Sequence, residues 1–193
     1  MTSSKSLHYY LAIIRFAQLL GKKVFIYSQG IGPIEKDADR RAGEDFYTGV
    51  KDPGKVFYKD GQRYEIDNHH VKFEPSQHER EIAKVLAEQL HEEVILQPVI
   101  NSPDGIKMPD YIIDGKQYDL KSIEGVGKNT FDNAVKGQRS QATNFVFDIT
   151  KCPLPRDVIE RKLEAVLTNK KRDWIEKLIL IDNGEIVKIL ERT

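Results

Sequence analysis

In the stretch MPDYIIDGKQYDLKS, Pro109-Asp110 is followed nine residues later by Asp119, with Lys121 two further on. The residues between them favour strands: YIID and QYDLKS carry β-branched and aromatic side chains, and Asp114-Gly115 is a tight hairpin turn signal. A hairpin would bring Asp110, at the start of one strand, beside the end of the next. Asp119 and Lys121 are two apart and would share one face of that strand. Two carboxylates and an ammonium on one sheet edge suit phosphodiester hydrolysis. A divalent ion held by the carboxylates lowers the pKa of a bound water and offsets developing charge. Oxygen ligands favour Mg²⁺ or Mn²⁺, with Zn²⁺ as a further candidate. Lys121 would add a fixed cation to orient water and stabilise charge on phosphorus oxygens.

The surrounding sequence predicts the elements that would hold this set. Ser76 can cap a helix with Ile82, Val85, Leu86 and Leu90 on one stripe, and Glu79 stands three residues beyond it as in a capping box. VILQPVI reads as a strand leading through a loop to Asp110. After Lys121 a Gly-rich loop precedes a helix predicted over 130–143, with Phe131, Ala134, Val135 and Ala142 inward and Lys136, Arg139 and Gln141 partly outward. NFVFDI reads as a buried strand, 155–170 as a helix, and LILIDNGEIVKIL as a hairpin about Asn183-Gly184. Upstream, KVFYKDGQRYEID predicts another hairpin about Asp60-Gly61. The alternation implies an α/β domain, in two or three layers, around a mixed central sheet flanked by helices.

Asp110 preceded by proline, with Asp-x-Lys after it, resembles the PD-(D/E)xK nuclease superfamily. The wider pattern is more specific. HEREIAKVLAEQLHEEVILQPV followed by KMPDYIIDGKQYDLKSIEGVGKNTFDNAVKGQRSQATNFVFDIT is similar to the C-terminal tRNase toxin domain of CdiA-type contact-dependent inhibition proteins, over roughly residues 70 to 193. The resemblance implies a restriction-endonuclease-like core and a metal site of Glu79, Asp110 and Asp119. It also implies catalytic roles for Lys121 and Gln141, RNA (tRNA) as substrate and a cognate immunity protein as partner. For Glu79 the helix-capping role and the metal-ligand role both stand open. So do a DNA endonuclease of the same fold and a catalytically inactive recombined remnant. Without a metal, the 2′-hydroxyl of RNA could attack, and His78 or His91 would be the expected bases.

Thirty basic and thirty acidic side chains give a formal charge of zero, which disfavours broad, non-specific coating of nucleic acid. A local basic rim would suffice for a nuclease. Lys128, Lys136 and Arg139 are the candidate substrate contacts, with Lys170-Lys171-Arg172 as a further basic run. The adjacent His69 and His70 would point to opposite faces of a strand and read as a polar loop pair. The single cysteine, Cys152, excludes an internal disulfide and a cysteine-based zinc cluster. No apolar run approaches membrane-spanning length, and MTSSKSLHYYLAIIRF lacks a signal-peptide layout, so the cytoplasm is the expected compartment.

The first third has a different character. A helix is predicted from Leu7 to Leu20, with Gly21 as its C-cap and a strand from Val24 to Tyr27. This unit, closing on QGIGP, resembles a fragment of the CsaB-type polysaccharide pyruvyl transferases over about residues 3 to 34; nothing after Ile34 continues it. Four segments are therefore expected: a leader over 1–34, a charged linker over 35–54, a β-hairpin lead-in over 55–72 and the nuclease-like domain over 73–193. On that reading, removal of residues 1 to about 54 would spare activity.

Overall fold

The computed structural model describes residues 49–192. The expected leader, its transferase-like unit and most of the charged linker lie outside the described residues.

A seven-stranded mixed sheet forms the centre, in the order β1 (Val50–Lys51), β5 (Val94–Leu96), β7 (Tyr111–Ile113), β8 (Lys116–Ser122), β9 (Asn144–Asp148), β10 (Lys177–Asp182) and β11 (Glu185–Glu191). β5, β7 and β8 are antiparallel neighbours, whereas β8, β9 and β10 run parallel. Parallel neighbours need a crossover, and two short helices supply them: α2 (Thr130–Val135) between β8 and β9, and α3 (Arg156–Thr168) between β9 and β10. All five residues of β9 are buried, as expected of a strand covered on both faces.

One face of the sheet packs on α1 (Gln77–Leu90), which contributes Ile82, Ala83, Leu86 and Ala87 against Val146, Ile179 and Ile181. The other packs on α2 and α3, where Phe131, Val135, Ile159 and Leu163 meet Phe145, Phe147, Leu178 and Leu180. The architecture is thus three-layered. Leu163 is fully buried at the centre of the second cluster. Leu163→Ala is expected to lower unfolding stability by about 2–5 kcal/mol, measurable as a fall in urea midpoint at constant m-value.

The three predicted hairpins form at the predicted turns. In each, both turn residues have positive φ, as at Asp114 (49°) and Gly115 (69°), the backbone that matches strand twist and that Asp-Gly and Asn-Gly tolerate. Around Asp60-Gly61, β2 (Val56–Lys59) and β3 (Gln62–Glu65) make a separate two-stranded sheet.

Three expectations are corrected. Residues 94–100 do not form one strand, because Gln97-Pro98 interrupts them: β5 stays in the central sheet, while β6 (Val99–Ile100) pairs with β4 (Val71–Lys72). A proline supplies no N–H to continue a ladder. The helix predicted over 130–143 ends at Val135, since Lys136 is extended and Gly137 has φ 75°; Gln138 to Ala142 form turns instead. Finally, Val50 and Lys51, inside the stretch expected to be linker, pair in parallel with Val94 and Ile95. A truncation at residue 54 would therefore remove a strand of the sheet.

Candidate active site

The hairpin places Asp110 immediately before β7 and Asp119 in the middle of β8. Asp110 N–H donates to the Tyr118 carbonyl at 3.0 Å, continuing the ladder and setting Asp110 opposite Asp119. Its Oδ2 accepts the N–H of Leu120 at 2.5 Å. Asp119 is 1% exposed, and Gln141 Nε2 donates to its Oδ1 at 2.6 Å. Lys121 Nζ lies 2.5 Å from Asp119 Oδ2, yet that oxygen accepts no hydrogen bond of proper direction. The contact offsets the charge of the buried carboxylate.

Burial, and then the adjacent Asp119 carboxylate, push Asp110 up to about 7, with a smaller contribution from Glu79 and an opposing one from the Leu120 N–H. Two carboxyl groups this close, in a partly dry site, require a proton or a cation between them. Burial likewise raises Tyr111, whose hydroxyl donates to the Glu79 carbonyl at 3.0 Å and ties the start of α1 to β7.

Glu79 occupies the third position of α1 and closes the capping box: its Oε2 accepts the Ser76 N–H at 2.6 Å, and Ser76 Oγ accepts the Glu79 N–H at 3.2 Å. It also lines, with Asp110, one cleft. The capping role is therefore present, and Glu79 stands near the aspartates. Among the described residues, however, no three His, Cys, Asp or Glu side chains are grouped as a metal cluster. Asp110 and Asp119 fit a hard divalent ion, which would compete with the Lys121 ammonium for Asp119 Oδ2. Glu79 keeps its Oε1 outside the capping bond and lies close enough to raise the Asp110 carboxyl.

Gln141 reaches the site from the turn after α2 rather than from a helix. Lys107 Nζ steadies that turn by donating to the Gly137 carbonyl at 3.1 Å. Lys128, Lys136 and Arg139 are exposed, as a solvent-facing basic rim requires. The loop carrying Lys128 is pinned by Lys162, which donates to the carbonyls of Gly127 and Lys128. Arg172 departs from the expected basic run: its side chain is mostly buried and bonds Asp132 at 2.8 Å, leaving Lys170 and Lys171 exposed.

The histidines separate. His69 and His70 lie in a bend, where Asp67 caps three backbone N–H groups and pairs with His70; those bonds hold the Asp67 carboxyl well below its usual range. His91 is the left-handed C-cap of α1, at its far end from His78. His78 Nε2 lies 3.1 Å from Ser122 Oγ and 3.2 Å from Asp148 Oδ2. Asp148 is itself held by Thr150 and is only 8% exposed. Sequence reasoning did not single out Asp148, although an acid closing the apolar run NFVF is a usable signal.

The chain is a mixed α/β domain in which two aspartates, a lysine and a glutamine converge at the central sheet. Residues 107–186 match the family described as the contact-dependent growth inhibition CdiA C-terminal domain, a stretch that includes Asp110, Asp119, Lys121 and Gln141 and leaves Glu79 outside. Over that stretch the resemblance to a CdiA-type C-terminal toxin domain holds. Among solved structures, the CdiA-CT/CdiI toxin and immunity complex from Burkholderia pseudomallei is similar at 21% identity and a TM-score of 0.48, covering 74% of this chain and 99% of that one. A comparison with curated proteins returned no match. No helix among the described residues is long and apolar enough to cross a membrane.

Proposed function

We propose that this domain is a metal-dependent endoribonuclease toxin that cleaves tRNA by phosphodiester hydrolysis, restrained by a cognate immunity protein in the cell that makes it. The observation that carries the reaction class is the Asp110, Asp119 and Lys121 juxtaposition, with one buried Asp119 oxygen left without a hydrogen bond. The RNA substrate and immunity partner rest on the CdiA-type resemblance. Asp110 and Asp119 would hold Mg²⁺ or Mn²⁺; when bound, the ion activates a water and offsets charge on the phosphoryl oxygens. Gln141 fixes the Asp119 carboxylate through Oδ1, so its other oxygen keeps one direction. Lys121, freed from Asp119 by a competing cation, would turn its ammonium to the phosphoryl oxygens and the attacking water. Lys128, Lys136 and Arg139 would supply contacts to neighbouring phosphates.

The purified full chain is expected to cleave tRNA in Mg²⁺ or Mn²⁺, to stop in excess chelator and to recover when the ion is restored. Undiminished cleavage in chelator would reject the metal mechanism and favour His78. Duplex DNA cut faster than tRNA would assign the same site to a DNA endonuclease. Absence of cleavage on both, with metal bound, would mark an inactive domain.

A further inference from the structure

His78, Ser122 and Asp148 meet where the first turn of α1 crosses the C-terminal ends of β8 and β9. Ser122 and Asp148 are register partners, two residues beyond Leu120 and Val146, so both side chains point to the α1 face of the sheet. A serine, a histidine and an aspartate suggest a hydrolase triad, but the geometry refuses it. Both contacts, 3.1 Å to Ser122 Oγ and 3.2 Å to Asp148 Oδ2, are made by the same ring nitrogen, Nε2. A triad needs the base to face its nucleophile with one nitrogen and its orienting acid with the other. A carboxylate only accepts, so Nε2 carries its hydrogen toward Asp148 and keeps no lone pair to activate the serine.

The network is instead an anchor. Asp148 is 8% exposed, and its Oδ1 accepts the Thr150 N–H at 3.0 Å and the Thr150 hydroxyl at 2.6 Å. That hydroxyl oxygen in turn accepts the Asn183 N–H at 3.0 Å. A bonded chain therefore runs from the β10–β11 turn, through the end of β9, to the first turn of α1. The residue after His78 is Glu79. Its backbone carbonyl is tied separately to β7 by Tyr111, and its carboxylate keeps Oε1 free on the cleft shared with Asp110. A helix turn held at one point can pivot about it; held on different strands by neighbouring residues, it cannot.

We propose that His78 is a positioning residue of this active site: anchored on the buried Asp148, it fixes the first turn of α1 so that the free oxygen of Glu79 stays beside Asp110. The inference rests on the nuclease reading for the use made of Glu79, which is to orient the attacking water. A bond that orients a reacting group without touching substrate is typically worth about 10–100-fold in activity.

The test uses the full chain and two readouts. In single-turnover tRNA cleavage at saturating Mg²⁺, His78→Ala is expected to lower the maximal rate about tenfold, with the half-saturating tRNA concentration unchanged. His78→Gln should recover part of the loss, since its amide nitrogen can take the place of Nε2. His78→Ala combined with Glu79→Gln should be no slower than Glu79→Gln alone, because the histidine acts through the glutamate. The second readout, amide hydrogen exchange, needs no cleavage. His78→Ala should speed exchange about tenfold at Ser76 and Glu79, whose N–H groups bond within the capping box, while Leu86 in the middle of α1 keeps its protection and shows that the variant is folded. Rate losses that multiply in the combined variant, or unchanged exchange at Ser76 and Glu79, would overturn the positioning role. Faster exchange at those amides in a protein that cleaves no RNA would keep the tether and reject the nuclease reading.

Discussion

Lys121→Ala is expected to reduce single-turnover tRNA cleavage by about 10²–10³ at saturating Mg²⁺ while leaving metal binding in place. That loss is the scale associated with removing one preorganised group that stabilises charge in the transition state. The structure separates the two roles by position. Asp110 and Asp119 face each other across β7 and β8, whereas Lys121 approaches Asp119 from the next same-face position on β8. Without the ammonium, the Asp119 carboxylate keeps the Gln141 bond and should remain a ligand. Asp119→Asn is expected to weaken both calorimetric metal binding and cleavage, and Gln141→Ala to be milder, since a neutral amide only positions its carboxylate partner. Wild-type cleavage by Lys121→Ala would return the lysine to the role of a charged strand residue.

The second large effect is on stability. Asp110 is raised by burial and by Asp119 from an ordinary carboxyl value of 3.8 to about 7. A group whose pKa is higher folded than unfolded contributes stability that is present below its unfolded value and is lost as pH rises through its folded value. In chelator, the protein should therefore become less stable between about pH 4 and pH 7, by at most about 4 kcal/mol. Asp67 and Glu191 are shifted the other way and act at lower pH, outside this window. Asp110→Asn should flatten the decline, because it removes the ionisation. Mg²⁺ should restore wild-type stability near neutral pH by binding the folded state, and should do little for the variant. Urea midpoints across this pH range, with and without Mg²⁺, measure all of these effects. A chelated wild-type protein with no such decline would contradict the assigned burial and pairing of Asp110.

Short-range chemistry was legible in the sequence. Asp-Gly and Asn-Gly turns determined three hairpins, because their backbones adopt positive φ where strand twist demands it. Ser76 and Glu79 determined where α1 begins, through bonds between residues three apart. The two-residue period of a strand put Asp119 and Lys121 on one face. What lay beyond such local rules was decided by packing. Gln141 serves the site from a turn, since Gly137 ends α2 and Lys107, thirty residues away in sequence, holds the turn carbonyl. The sides of the split at Pro98 were chosen by different partners, β5 by β7 and β6 by β4. Val50 and Lys51 look like linker by composition and become strand only because β5 offers them an edge. Glu79 could be cap, ligand or both from its spacing, and the folded chain gives it the capping bond beside the aspartates. Asp148 and His78 are seventy residues apart, and only the layering of α1 over the ends of β8 and β9 brings them together. Turns and caps are set by neighbours in the chain, whereas a site is set by which distant surfaces bury one another.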